Sequence, residues 1–178
     1  MAKIVDLKSF RDRSLEQKCF GVWHQRFGET FGVATRVCDL SDKTVFFLAQ
    51  PGENSSLAFY ELILGALDLG PGAKFYYLAN DEQMRVVDIH LLLADQVRFE
   101  MMRRLGWLRE FRGRELGLIE MVRNFEAAKQ HARSIPPQLN ETHPAFADFS
   151  RLTAGDKEVF IRRMLREAID AFKTQLGD

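Results

Sequence analysis

The stretch from Ser56 to Leu69 carries only two charged residues, Glu61 and Asp68. A helix made of it has no polar face, and such a helix is a buried one. The rest of the chain has to cover it on every side. At 178 residues the chain is long enough to do so. A domain of this size hides about 70% of the surface it exposes when unfolded, without needing a disulfide or a metal. We read residues 1–178 as a single domain, with 1–13 as a loosely held N-terminal arm or short strand. Fifteen Phe stand against two Trp and three Tyr, so large flat rings dominate the expected core.

Around the buried segment the reading is mixed. Ser14-Leu15-Glu16-Gln17 has the pattern of a capping box, followed by Leu15, Cys19, Val22, Trp23 and Phe27 at helical spacing and a stop at Gly28. Residues 34–40 and 44–49 flank the turn-like Ser41-Asp42-Lys43 and read as a β-hairpin. Gly70-Pro71-Gly72 breaks the buried helix, and 74–79 reads as a third strand. Asn80-Asp81-Glu82-Gln83 opens a long segment to Leu105. Its apolar run 86–93 hides its own period. Helix is favoured there, because no Gly or Pro falls between 84 and 105. A further helix is expected over 115–133, a stiff connector over 134–152, and a last helix capped at Thr153 with Ile161, Leu165, Ala168, Ile169, Phe172 and Leu176 as its buried stripe. The expected fold class is therefore α+β: a helix-rich domain with about five helices on a small sheet.

Composition and motifs exclude several functions. The 25 basic and 25 acidic residues balance, which argues against a protein held to nucleic acid by bulk charge. The halves differ mildly, with a net of −3 over residues 1–97 and +3 over 98–178. Cys19 and Cys38 form no CxxC pair and read as free thiols in a reducing, cytoplasmic setting. No run approaches the ~18 apolar residues of a membrane span, and the N-terminus lacks the pattern of a signal peptide. Gly65 and Gly70 have phosphate-loop spacing, but Pro71 stands where the lysine belongs. There is no HExxH, no paired CxxC and no repeated ExxH. Neither a cofactor nor a metal is expected.

Two constellations remain. Glu61, Asp88, His90 and Asp95 are polar groups in apolar surroundings, where an ionisable side chain has to be paired or neutralised. A carboxylate with an imidazole can serve as a general base or bind an ion, so these four are the catalytic candidates. On a helix, Asp88 and His90 would point about 200° apart, while Asp88 and Asp95 would share a face. The second constellation is the run Arg98 to Arg114, in which Arg98, Arg103, Arg104, Arg109, Arg112 and Arg114 stand against Glu100 and Glu110, with Phe99, Trp107 and Phe111 interleaved. Arginine and aromatic residues anchor protein interfaces, and they also stack on single-stranded nucleic acid. The same run is equally compatible with an ordinary amphipathic helix.

The reading is a non-enzymatic interaction or regulatory protein that self-associates or binds a protein partner through that run, without nucleic acid or membrane. The alternatives are a small enzyme or ligand- or metal-binding domain built on the four buried groups, and a single-stranded nucleic-acid binder.

Overall fold

A computed structural model describes residues 6–177 of the chain. Helix α1 spans Leu7–Phe27, capped by Asp6, whose carboxylate accepts from the Lys8 amide at 3.0 Å, and closed by Gly28 at φ 64°. Residues 7–13 are thus its first two turns, and residues 1–5 lie outside the described part. A short 3-10 turn, Val37–Asp39, leads to α2, Asp42–Ala49, and then to α3, Glu53–Ala66. A second 3-10 turn, Gly72–Tyr77, precedes α4, Asn80–Arg104. A third, Arg112–Glu115, precedes α5, Leu118–Arg123, and α6, Phe125–Ser134. The chain ends with α7, Phe146–Ser150, α8, Ala154–Arg163, and α9, Leu165–Gln175.

The described residues contain no β-strand and no sheet, which overturns the α+β reading. Their only strand-like pairings are isolated bridges, Arg36 with Gly117 and Leu108 with Leu139. Each of the three expected strands fails for a local reason. Over 44–49 the buried residues are Thr44, Val45, Leu48 and Ala49, a helical stripe rather than an alternation. Ser41, read as part of a turn, is the N-cap of that helix, accepting from the Thr44 amide at 3.2 Å. Residues 37–39 and 72–77 coil into 3-10 turns. With no neighbouring strand to satisfy an extended backbone, β-favouring side chains cannot hold these segments extended.

The long segment after Ala79 is helical throughout, as favoured. The later helices are more broken than their periodicity implied. Asn124, at φ −115° and ψ 47°, separates α5 from α6, and Met164 separates α8 from α9. Thr153 caps α8 as expected, and the whole stripe from Ile161 to Leu176 is buried or half-buried. The connector over 134–152 carries α7, whose Phe149 is buried in the core.

Helix α3 lies at the centre, with Phe59, Leu62, Ile63 and Leu64 completely buried. Its covering against α1 depends on two details. The Trp23 indole donates to the Ala58 carbonyl at 2.8 Å, so a buried polar atom is satisfied while its ring fills the core. Around it Phe20, Phe27 and Phe31 pack with ring centroids 5.4 to 5.6 Å from Trp23. Further along, α1 passes so close that a Cβ on Gly65 would overlap the Lys18 carbonyl. Backbone cannot swing aside as a flexible side chain can. Gly65→Ala is therefore expected to lower stability by about 2 kcal/mol despite alanine's better helix propensity. Urea unfolding of the two proteins measures this, and an unchanged or raised midpoint contradicts the packing account.

Candidate functional site

Helix α4 organises both constellations that the sequence singled out. It has 25 residues, with Val86, Ile89, Leu93 and Val97 completely buried against the core. The opposite face is open. Met84 is 69% exposed, Val87 37% and Leu91 56%, at the i, i+3, i+7 spacing that lines up on one side of a helix. Beside this row stand Asp81, Arg85 and Asp88, all exposed. Tyr76 and Tyr77, in the turn that leads into α4, also face outward. Single exposed apolar residues are ordinary; these three share one side of the helix.

The four catalytic candidates do not converge. Glu61 is half-buried on α3, its carboxylate against Gly72 in a cleft between α1 and α3. Asp88 is on the exposed face of α4. His90 points to another flank, its ring 5.1 Å from that of Phe59 and 5.3 Å from that of Tyr60. Asp95 pairs with Arg162 of α8 at 2.9 Å. Among the described residues no three His, Cys, Asp or Glu side chains gather as a metal site requires. Burial pushes His90 down to about 4, aided by the nearby Arg98 charge, so the imidazole is neutral near pH 7. Burial also raises Cys19 to about 12, which keeps its thiol protonated and unreactive.

The Arg98–Arg114 run is drawn largely into the fold. Arg98 donates from Nε to the Ala49 carbonyl at 3.0 Å, at the C-terminal end of α2. Phe111 is buried, with its ring edge toward Phe99. Trp107 is half-buried and meets His143 edge-on at 5.2 Å. Arg109 is exposed and pairs with Glu141, and Arg112 faces solvent.

The centre of this region is an acidic residue of the run to which sequence reading gave no role of its own. Glu100 is completely buried, and its carboxylate accepts from three guanidinium groups: Arg103, Arg104 and Arg114, each with an Nε contact of 3.0 Å. Arg104 also reaches Asp42 at 2.9 Å and the Cys38 carbonyl at 3.3 Å. One carboxylate thus ties the end of α4 to the start of α2 and to the 3-10 turn at 112–115. Burial raises the Glu100 pKa, but hydrogen bonds from Arg103, Arg114 and Arg104 outweigh it and hold the carboxyl below its usual range. The visible signal was the spacing of Glu100 to Arg103 and Arg104, the i+3 and i+4 positions of a helical ion pair. Arg114, across a turn, had no such signal.

Removing the buried charge strands three cations. Glu100→Gln is expected to cost about 3 kcal/mol, as breaking a buried ion pair does, whereas Asp42→Asn at the exposed end should cost under about 1 kcal/mol. Equal midpoint shifts for the two in urea would refute this ordering. The His90 imidazole provides a pH test. Its folded pKa is depressed, so the unfolded chain takes up a proton first, and stability falls as pH drops from about 6.5 to about 4. At ~1.4 kcal/mol per pKa unit, reduced for partial solvent access, roughly 2 kcal/mol is lost over that window. An NMR titration placing His90 near 6.5 in the folded protein contradicts this. No protein-family model, curated protein or solved structure matches this chain.

Proposed function

We propose that this chain is a non-enzymatic interaction module of the cytoplasm that pairs with a second copy of itself through the outer face of α4. The observation that carries the reading is the exposed row Met84, Val87 and Leu91 on a helix whose inner face is fully committed to the core. Two free cysteines suit a reducing compartment, and among the described residues no helix is long and apolar enough to cross a membrane.

Charge supports a second copy over an unrelated partner. Arg85 and Asp88 are exposed on the same flank of the row, and neither has an ion-pair partner among the described residues. A twofold interface is self-complementary: if residue i meets j, then j meets i. With two α4 helices antiparallel and Val87 near the axis, Met84 of one copy meets Leu91 of the other. Arg85 of each copy then comes within reach of Asp88 of the other, giving two ion pairs that flank an apolar seam. The seam contributes the hydrophobic burial, and the charges set direction and register.

The test is sedimentation velocity over a concentration series. The wild type is expected to dimerise, and Met84→Glu with Val87→Glu to remain monomeric. Arg85→Asp alone sets like charges against each other and should weaken pairing at least tenfold. The swap Arg85→Asp with Asp88→Arg restores it. A wild type that stays monomeric throughout, or a swap that fails to rescue, overturns the reading.

A further inference from the structure

We infer that the cleft between α4, α6 and α8 binds a small anionic amphiphile, an apolar chain or ring that carries a carboxylate or a phosphate. The cleft encloses about 500 Å³, within the roughly 300–1,000 Å³ of small-molecule sites. Its apolar surface comes from Leu92 and Phe99 on α4, Phe125 and Ala132 on α6, and Pro137 beyond it. Leu92, Phe99 and Ala132 are buried in the core beneath, so this surface is rigid rather than a set of loose side chains.

The charges around it leave one positive charge in excess. Arg98, Lys129, Arg133 and Arg162 line the cleft together with Asp88, Asp95 and Glu158. Arg162 holds Asp95 at 2.9 Å and Glu158 at 3.8 Å. Four cations thus stand against three carboxylates, a net of +1, with the one guanidinium of Arg162 shared by two of the carboxylates. Arg98 is the most telling of the cations. It is half-buried, spends Nε on the Ala49 carbonyl, and forms no ion pair among the described residues. Lys129 sits over the Phe125 ring with Nζ 5.5 Å from its centroid, between the apolar floor and the rim. A partly desolvated guanidinium without a carboxylate gains by pairing with an incoming anion. Burial lowers the Arg98 pKa, with Asp95 only partly offsetting it. Arg98, Lys129 and Arg133 beside a fixed apolar floor match a ligand with an anionic head and an apolar body.

Asp88 and Leu91 stand at the edge of both this cleft and the proposed pairing face, but neither inference requires the other. Calorimetric titration with octyl phosphate and octanoate, against octyltrimethylammonium and inorganic phosphate, tests the binding. Saturable binding of octyl phosphate or octanoate is expected, with no binding of the cationic amphiphile. Inorganic phosphate should bind at least tenfold more weakly than octyl phosphate. Lys129→Met with Arg133→Met, both on the outer side of α6, should weaken binding at least tenfold without unfolding the protein. Amide shifts on octyl phosphate addition should centre on Leu92, Phe99 and Phe125. Met84→Glu with Val87→Glu, which removes pairing, should bind as the wild type does. The inference is overturned by an absence of saturable binding, by equal binding of the cationic amphiphile or of phosphate alone, or by an unaffected Lys129/Arg133 variant. It is equally overturned by binding lost in the unpaired variant, or by binding seen only to anionic phospholipid vesicles.

Discussion

One buried carboxylate fixes how three parts of a shared apolar core meet. Glu100 gathers Arg103 and Arg104 from its own helix and Arg114 from the turn beyond, and through Arg104 it reaches Asp42 and the Cys38 carbonyl. A carboxylate with no access to water is unfavourable by itself. It persists because each oxygen is supplied with donors, and no buried side-chain polar atom among the described residues lacks a partner. The network is directional, unlike the surrounding Phe-rich packing. It specifies which end of α4 meets α2 and how the 112–115 turn lies against them, so the helices cannot slide along one another.

That placement has consequences for the surface. Once Arg98, Arg103, Arg104 and Arg114 are drawn inward, the open part of α4 is its first half, where Met84, Val87 and Leu91 face solvent. The second half of the same face is flanked by α6 and α8 and becomes a cleft. One helix therefore presents two adjoining surfaces of different chemistry: an apolar row with charges of both signs beside it, and a charge-lined hollow over an apolar floor. Both follow from α4 being longer than the elements that cover it.

Some of this was legible from residues alone. The buried character of α3 is written in its lack of a polar face, and Thr153 with the Ile161-to-Leu176 stripe placed the final helical segment. The β reading failed where short apolar runs carried β-branched and aromatic residues. In 44–49 the helical stripe of Thr44, Val45, Leu48 and Ala49 emerges only once one knows which side faces α4. Within 86–93 the interior positions Val86, Ile89 and Leu93 and the exposed positions Val87 and Leu91 are all apolar. Composition could not distinguish a core-facing residue from a surface row.

Sequence alone determined the central helix, the stop at Gly28, the cap at Thr153 and the divergence of Asp88 and His90 on a helix. Each depends on backbone geometry or periodicity within a few turns of chain. Tertiary structure alone decided that the chain builds no sheet among its described residues, that Glu100 is an internal hub, and that four cations and three carboxylates from three helices line one cleft. Those outcomes depend on groups far apart in sequence being brought within a few ångströms, as Arg162 is to Asp95 and Arg104 to Asp42. Local spacing carries no record of such distances, because burial and pairing are properties of the folded neighbourhood rather than of the residue.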